Sequence, residues 1–325
     1  MFKARTPYLY LILPAIFMVG FFFLPLFMAF RISLSDYSHE LYHPAFVGLG
    51  NYFRLAQSLP FWNAMQNTFL FLLGAVPSMM ILPIFLALLL NGKLKGMAFF
   101  RSLIYIPVVI SMVVVGIAWR WLYADDGLIN WLLSCLHLPK VGWLVNPDIA
   151  LYSVMIVVVW KGMAYYMMMY LAHLQSLSPE LYEAAEIDGA GLWRKHWYVT
   201  LPHLRPTIVM VAIISTIGSL KVFTEIYVMT RGGPVGATRT LVYYIYERAF
   251  ENLDLGIASA AGIVLMLILL VFSLLEMKFS PKEDGEVESP KSLKPGEDNN
   301  KRPIPVLPMK QTAPVAVPAE PRDVT

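Results

Sequence analysis

The amino-acid sequence predicts an all-α protein that crosses a membrane, and two observations predict it. Hydrophobic residues make up 58% of the 325 residues and charged residues only 14%, which is far too apolar for a water-soluble domain of this length. The apolar residues also gather into runs long enough to cross a bilayer as helices of about 20 residues each. The sequence therefore predicts a polytopic membrane protein with six transmembrane helices.

The six predicted spans cover residues 8–31, 66–90, 102–122, 149–172, 206–229 and 257–277. The first span begins like a secretory signal, because Lys3 and Arg5 precede its apolar run. That run is longer than the core of a cleaved signal, and no small-residue cleavage pattern follows it. We therefore expect a retained anchor, with residues 1–7 as a cytoplasmic N-terminus and residues 8–278 as the membrane domain.

Basic residues predict the orientation of the spans. One set of loops and termini carries Lys3, Arg5, Lys93, Lys95, Arg101, Arg194, Lys195, Arg205, Lys278 and Lys282. The opposite loops carry Arg54, Lys140, Arg231, Arg239 and Arg248, spread over longer segments. Because Lys and Arg accumulate in cytoplasmic loops, we expect the first set to be cytoplasmic, and the even number of spans places both termini on that side.

Prolines interrupt several predicted spans, at Pro14, Pro25, Pro77, Pro83 and Pro107. Each removes a backbone hydrogen bond that a neighbouring helix or a polar cavity must replace. Broken helices suit a transport pathway, and simple kinks for packing are an equal alternative. Beyond the last span the chain is rich in proline and charge, which predicts a disordered cytoplasmic tail over residues 279–325.

Composition and motifs disfavour several function classes. The net charge is only +3 and the basic residues are scattered, without the clustered stripe that nucleic-acid binding needs. The single cysteine, Cys135, cannot close an intramolecular disulfide. His39-Glu40-Leu41-Tyr42-His43 spells the zinc-protease sequence H-E-x-x-H, but that site needs a helix, which Pro44 disfavours. A membrane zinc metalloprotease is thus a weaker alternative, and we expect neither catalytic residues nor a metal site.

The loop between the fourth and fifth spans is predicted to form two short helices around a turn. Ser178-Pro179-Glu180 is typical of a helix start, and the helix is expected to run to about Glu186. Gly189 and Gly191 permit the positive φ angles of a tight turn. Residues 193–199 are expected to form a second helix that Pro202 ends. Such a polar block has no lipid to pack against, which suits it to docking on a soluble partner.

This block contains Glu183, Ala184, Ala185, Gly189, Leu201 and Pro202 at a distinctive spacing. In these residues it resembles the EAA loop of the membrane subunits of binding-protein-dependent ABC importers. In that family the loop sits in a cleft of a separate ATPase subunit, so the resemblance implies that these residues couple the chain to an ATPase. The physical chemistry agrees, since small alanines allow a helix to lie deep in a groove and glycine allows close backbone approach at the turn.

The resemblance extends from about residue 7 to 278 and favours the carbohydrate branch, particularly the first, maltose-type subunit of a heterodimeric pair. The stretches that carry it are 46–52, 61–62, 67–68, 101–107, 127–130, 188–190 and 230–234. It implies the type I ABC importer permease fold in a prokaryotic plasma membrane, and import of a sugar or related polyol by alternating access. It also implies a second permease subunit, two ATPase subunits and an extracytoplasmic substrate-binding protein.

No phosphate-binding sequence G-x-x-x-x-G-K-[ST] occurs in the chain, although that loop is the usual means of holding ATP phosphates. ATP and Mg²⁺ are therefore expected on the partner ATPase subunits, and no cofactor is expected on this chain.

Polar residues inside the fourth and fifth spans are candidates for the substrate pathway. They are Lys161, Tyr165, Ser215, Ser219 and Lys221, with Gly162 next to Lys161, and the resemblance adds Trp160. An ionisable residue inside a bilayer is costly enough to suggest a function, and helical spacing groups Gly162 and Tyr165 with Lys161. The alternative for Lys221 is simple neutralisation by Glu225, one turn further on.

The resemblance places sugar contacts on the same two spans, with two departures. Lys161 replaces an apolar residue, and the fifth span reads Gly218-Ser219-Leu220-Lys221-Val222 in place of an asparagine-rich patch. These departures leave the sugar open, including an anionic one such as a sugar phosphate. A further alternative is a secondary transporter driven by an ion gradient, but it gives no reason for the EAA block, and no inverted repeat is evident.

Overall fold

The computed structural model describes residues 6–37, 45–92 and 96–279 and is almost entirely helical. Five sequence features lie outside the described residues: the N-terminal Lys3 and Arg5, the H-E-x-x-H sequence at 39–43, the basic residues of 93–95, Lys282, and the predicted tail from residue 280 onward.

The helices follow one another along the chain with short connections. They are α1 (Thr6–Met18), α2 (Leu24–Ser33), α3 (Gly50–Ala56), α4 (Leu59–Leu90), α5 (Met97–Val109), α6 (Met112–Leu122), α7 (Leu128–Cys135), α8 (Pro147–Ser176), α9 (Pro179–Ile187), α10 (Leu192–Lys195), α11 (Leu201–Leu220), α12 (Thr224–Met229), α13 (Leu241–Tyr246) and α14 (Leu255–Phe279). Within the described residues, π-helical segments occur at Val19–Phe23, His196–Thr200 and Glu247–Glu251. Two short antiparallel strands, β1 (Ser35–Asp36) and β2 (Ala45–Phe46), pair Ser35 with Phe46.

Long apolar helices dominate the described part of the chain. Five stretches are long and apolar enough to cross a membrane: Leu11–Ser33, Leu59–Leu90, Pro147–Ser176, Leu192–Leu220 and Leu255–Lys278. The pair α5 and α6 makes a sixth if its two halves, which meet at 96°, are counted as one span. The prediction of an all-α, polytopic membrane protein is confirmed.

The predicted third span, 102–122, is not one straight helix. Ile110 (ψ 136°) and Ser111 (ψ 142°) adopt extended backbone conformations, so α5 ends and α6 begins in a new direction. Extended residues cannot continue the i→i−4 hydrogen-bond ladder, and Pro107 in the preceding turn has already removed one donor. The span is therefore broken near its middle.

The second and fifth spans also differ from their predicted limits. Helix α4 begins at Leu59 rather than residue 66, because Pro60 lies in its first turn, where a missing N–H costs nothing. The fifth span was predicted to reach residue 229, but α11 ends at Leu220 and a separate α12 follows. Phe223, at φ −140°, lies in the non-helical connection.

Two prolines are accommodated by wider turns. The π-helical segments Val19–Phe23 and His196–Thr200 each end two residues before a proline, Pro25 and Pro202. In each case the residue before the proline donates its N–H to the carbonyl five positions back. A proline ring collides with the carbonyl four positions back in an ordinary α-helix, and the wider π turn provides room.

The packing of α4 against α8 forms the centre of the bundle. Phe71 and Met79 of α4 share one buried cluster with Val154 of α8 and Val211 of α11. The approach is so close that a Cβ on Gly74 would lie 2.4 Å from the Met155 sulfur. A second cluster joins α4 to α13 and α14, and α2 packs on α14. These helices hold the cavity described below.

The start of α14 is fixed by close contact with a buried amide. Asn51 of α3 donates from Nδ2 to the carbonyls of Ser33 and Ser35, at 2.9 Å each. Gly256 packs directly on this arrangement, and an added Cβ would lie 2.6 Å from the Ser35 oxygen and 2.9 Å from Asn51 Nδ2. Only a glycine fits at this crossing of α2, α3 and α14.

We predict that Gly256→Ala destabilises the protein, because the methyl group displaces Asn51 or the Ser35 carbonyl. Overpacking of this kind costs about 1–3 kcal/mol, which is expected to lower the melting temperature of the purified protein in detergent by several degrees. Gly262→Ala on the same helix is the matched control, since nothing lies within 4 Å of its added Cβ. Equal melting temperatures for the two variants would contradict the packing described.

Candidate functional site: a mid-span cavity and an exposed loop

Five of the predicted pathway residues line one cavity of about 290 Å³. They are Lys161, Gly162 and Tyr165 of α8 and Ser215 and Ser219 of α11. The remaining wall comes from Met79 of α4, Val108 and Met112 on either side of the break, Val158, Tyr166, Gly218 and Glu225. The cavity therefore lies where α4, α8, α11 and the broken span meet.

The α8 wall is shaped by a glycine between larger residues. A Cβ on Gly162 would lie 3.2 Å from the terminal methyl carbon of Met79 and 3.4 Å from the ring of Tyr166, so a larger side chain there would intrude on the cavity. Tyr165, one turn after Lys161, packs edge-on against Tyr166 with ring centroids 5.3 Å apart. The cavity wall on this side is thus aromatic, and Tyr165 is exposed whereas Tyr166 is buried.

The two serines of α11 that line the cavity, Ser215 and Ser219, differ in the hydrogen bonding of their hydroxyl groups. The Ser215 hydroxyl donates to the Val211 carbonyl at 2.6 Å. Ser219 is only 2% exposed, and its hydroxyl has no hydrogen-bond partner within the described chain. A buried hydroxyl without a partner costs roughly 1–3 kcal/mol, so Ser219 is a lining group with unused hydrogen-bonding capacity.

The ammonium group of Lys161 donates hydrogen bonds to the backbone of the broken span. Its ammonium nitrogen lies 2.9 Å from the Pro107 oxygen, 3.2 Å from the Val108 oxygen and 2.9 Å from the Ile110 oxygen. Glu225, at the start of α12, lines the same cavity and interacts electrostatically with Lys161. The cation that the sequence indicated is in the cavity wall, together with a carboxylate.

Trp160 and Lys221 do not line this cavity. The Trp160 ring packs edge-on against Trp119 at 5.4 Å, on the side of α8 that faces α6. Lys221 is exposed and follows the last residue of α11. Because the helix ends there, Lys221 and Glu225 do not have the i, i+4 relation of a continuous helix, and the described ion pairs include none between them.

Sequence reasoning missed several lining residues. It named Glu225 only as a partner for Lys221, and it named neither Met79 nor the pair Val108 and Met112. Pro107 next to the middle of an apolar run was the available signal for the break. Nothing in the local sequence signals which distant helix faces that break.

The exposed loop begins with the predicted helix α9. Ser178 is its N-cap residue and Pro179 its first residue, although the Ser178 hydroxyl makes no capping bond. The helix ends in a Schellman motif, in which Ala190 N–H donates to the Ala185 carbonyl at 2.9 Å and Gly189 N–H to the Glu186 carbonyl at 3.0 Å. Gly189, at φ +74°, occupies the left-handed position that this motif reserves for glycine.

The second half of the loop departs from the prediction. Gly191 has φ −66° and ψ 169°, so only Gly189 uses a positive φ angle. The helix that begins at Leu192 does not end at Pro202, because the π turn before the proline lets it continue into α11. Leu201 and Pro202 therefore lie inside one continuous helical stretch.

Two side-chain contacts bind α9 to that stretch. Lys195 forms an ion pair with Glu186. The Tyr182 hydroxyl lies 3.1 Å from the hydroxyl of Thr200, which also lies 3.1 Å from His196 Nδ1. Thr200 is 1% exposed, so the link is shielded from water. These contacts hold α9 against the helical stretch that leads into α11.

The outer surface of the loop between α8 and α11 is exposed. Glu183, Ala184 and Gly189 are exposed, and Ala185 is half-buried. Large apolar side chains also point away from the protein, with Ile187 87% and Trp193 78% exposed. Exposed apolar groups next to a charged helix are typical of a surface that binds another protein.

We predict that Thr200→Val loosens α9, because valine keeps the shape of threonine and loses the bonds to Tyr182 and His196. Amide hydrogen exchange across Pro179–Ile187 is expected to accelerate about fivefold, since the Tyr182 bond, which is the one that reaches α9, contributes roughly 1 kcal/mol. Ser178→Ala is the control, because its hydroxyl makes no capping bond. Unchanged exchange in Thr200→Val would show that the two hydroxyls do not hold the helix.

Comparisons with known proteins agree with this arrangement. Residues 60–283 match the family described as "Binding-protein-dependent transport system inner membrane component". A probable ABC transporter permease protein, YurN of Bacillus subtilis, is 34% identical over 278 residues, which cover 84% of this chain and 95% of the relative. The trehalose/maltose transport system permease protein MalF of Thermococcus litoralis is 36% identical over 279 residues, covering 85% and 94%.

A solved structure also matches the fold. It is a bacterial alginate ABC transporter in complex with an alginate pentasaccharide-bound periplasmic protein, and the matching chain has a TM-score of 0.73 and 27% identity, covering 84% of this chain and 93% of that chain. The match favours a permease subunit over an ion-gradient-driven transporter or a metalloprotease. Because the family match covers more than half of the chain, the protein belongs to the family of inner membrane components of binding-protein-dependent transport systems.

Proposed function

We propose that this chain imports a sugar or a related polyol across a prokaryotic plasma membrane by alternating access, using ATP hydrolysed on other subunits. The observation that carries the proposal is the exposed loop 178–202. It contains α9, turns at Gly189 and then continues as a helix directly into α11. A partner protein that binds this loop and moves it also moves α11, whose other end lines the cavity. Family membership supports transport as the activity.

Glu183, Ala184, Ala185 and Gly189 are proposed to dock on an ATPase subunit. Their exposure and the neighbouring apolar side chains support a protein partner. The small alanines leave room for close approach to a groove wall. Leu201 and Pro202 lie beyond the turn at Gly189, in the next helical stretch, and transmit the movement to α11. ATP and Mg²⁺ are bound by two such ATPase subunits in this proposal.

The loop end of the bundle is proposed to face the cytoplasm, with both termini on that side. Arg101, Arg194, Lys195 and Arg205 lie near this end of the spans, and basic residues accumulate in cytoplasmic loops. A second, related permease subunit and an extracytoplasmic substrate-binding protein complete the assembly. The matching alginate transporter, which was solved in complex with a periplasmic protein, supports the binding protein as a partner.

The cavity between α4, α8 and α11 is proposed as the sugar pathway. Tyr165 and Ser219 provide hydroxyl groups there, and Ser219 has the unused hydrogen bond. Gly162 keeps the space open, Ser215 and Lys161 complete the polar wall, and Trp160 and Lys221 flank it. Sugar transport in the names of relatives such as trehalose/maltose MalF supports the carbohydrate class.

We predict that Gly189→Val abolishes ATP-dependent uptake while the protein remains in the membrane. A β-branched residue at φ +74° is strained by roughly 1–2 kcal/mol or more, so the Schellman turn changes shape and the ATPase subunit is lost. The measurements are co-purification of the ATPase subunit and uptake from a panel of ¹⁴C-labelled maltose, trehalose and lactose.

Gly191→Ala is the matched control for this loop, because Gly191 has φ −66° and an added Cβ meets nothing within 4 Å. It is expected to retain the ATPase subunit and to transport at nearly the wild-type rate. Wild-type uptake by Gly189→Val would contradict the proposed coupling.

For the pathway, we predict that Ser219→Ala raises the KM for uptake about fivefold, the equivalent of one hydrogen bond of roughly 1 kcal/mol. Ser215→Ala is the control on the same helix, because its hydroxyl is already bonded to Val211, and its KM is expected to change less than twofold. Equal KM values for Ser219→Ala and the wild type would count against a sugar contact at Ser219.

A further inference from the structure

The ammonium group of Lys161 reaches across the bundle to the break in the third span. It donates to the carbonyls of Pro107, Val108 and Ile110, which lie within four residues of one another. These three bonds join the middle of α8 to the end of α5, more than fifty positions earlier in the chain.

The break creates the acceptors that Lys161 uses. In a continuous helix the carbonyls of Pro107 and Val108 would accept from the N–H groups of Ser111 and Met112, four positions further on. The extended conformations of Ile110 and Ser111 prevent those bonds. A carbonyl left without a partner inside a bilayer costs several kcal/mol, and an ammonium group has three N–H donors. The number of N–H donors on Lys161 therefore equals the number of carbonyls to which it donates.

The same geometry removes Lys161 as a ligand for solute. All three of its donors are used by the backbone, so no N–H remains for a sugar hydroxyl or a phosphate. Glu225 lies close enough to interact electrostatically with Lys161, which lowers the cost of keeping its charge in this place. Val108 and Met112, on the two sides of the break, line the cavity, so the angle of the break sets the position of that wall.

We propose that Lys161 is a positioning residue, which holds the break between α5 and α6 and thereby the wall of the cavity. It acts through the backbone of the broken span and makes no contact with the transported solute. The inference draws on the proposed function only for its uptake measurement, since the structural measurement needs no solute.

The test compares hydrogen exchange and uptake in the complete transporter reconstituted in nanodiscs. Lys161→Met keeps the length of the side chain and removes its donors, and it is expected to accelerate exchange roughly tenfold across residues 104–115. Lys161→Arg, which retains several donors, is expected to restore most of the protection. Lys221→Met is the matched control, because Lys221 is exposed and outside the cavity, and it is expected to leave exchange unchanged.

Uptake kinetics separate positioning from solute binding. For whichever of ¹⁴C-labelled maltose, trehalose and lactose the wild type accumulates, Lys161→Met is expected to lower Vmax at least fivefold and to change KM less than twofold. Unchanged exchange across 104–115, or a rise in KM with Vmax and exchange unaltered, overturns the proposal. If Lys161→Met does not assemble, Lys161→Gln, which keeps two N–H donors, is expected to show intermediate exchange, and wild-type exchange in that variant overturns the proposal as well. Should the wild type accumulate none of these sugars, the proposed substrate class fails while the exchange result still decides the role of Lys161.

Discussion

The need to satisfy every backbone polar group inside the membrane governs this structure. Lipid offers neither donors nor acceptors, so each irregularity in a span requires a partner from the protein itself. At Pro25 the partner is another backbone group, because the Leu24 N–H reaches the Val19 carbonyl through a π turn. At the 96° break the partner is a side chain, Lys161. The chain therefore places its one described mid-span ammonium where the backbone is most deficient.

The two candidate regions lie on a common element. Helix α11 carries Ser215 and Ser219 in the cavity wall, and its beginning is joined through Thr200 and Tyr182 to the exposed helix α9. The buried link at one end and the polar cavity at the other are features of the same continuous stretch of backbone. The proposed docking loop and the proposed solute pathway are thus joined by continuous backbone as well as by packing contacts.

Local signals predicted much of the fold and of the exposed loop. The apolar runs located the spans, Ser178-Pro179 located the start of α9, and Gly189 located its end, because each depends only on neighbouring residues. The signals failed where a distant group decides the outcome. The break at Ile110 lies against a lysine of α8 that is 51 positions away in the sequence. The continuation through Pro202 has a local cause, because it depends on the π turn that precedes the proline, and hydropathy does not report such a turn.

The candidate cavity was predictable only in part, for a related reason. Periodicity correctly grouped Lys161, Gly162 and Tyr165 on α8, since they belong to one regular helix. It misplaced Lys221, because it assumed that the helix continued beyond Leu220. Glu225 lies beyond the same termination, at the start of the separate helix α12, and lines the cavity from there. Residues beyond a helix end cannot be assigned to a face by counting.

The unbroken helical path from Leu192 to Leu220 has a geometric consequence. At 1.5 Å per residue, the distance from Lys195 to Ser219 is about 36 Å. A rod of that length amplifies small rotations, so a tilt of about 10° at the exposed end displaces the far end by about 6 Å. Had Pro202 terminated the helix, the joint would have absorbed such a tilt. In the proposed mechanism, the continuous helix instead acts as a lever that converts a slight rocking into a displacement comparable to the width of a sugar ring.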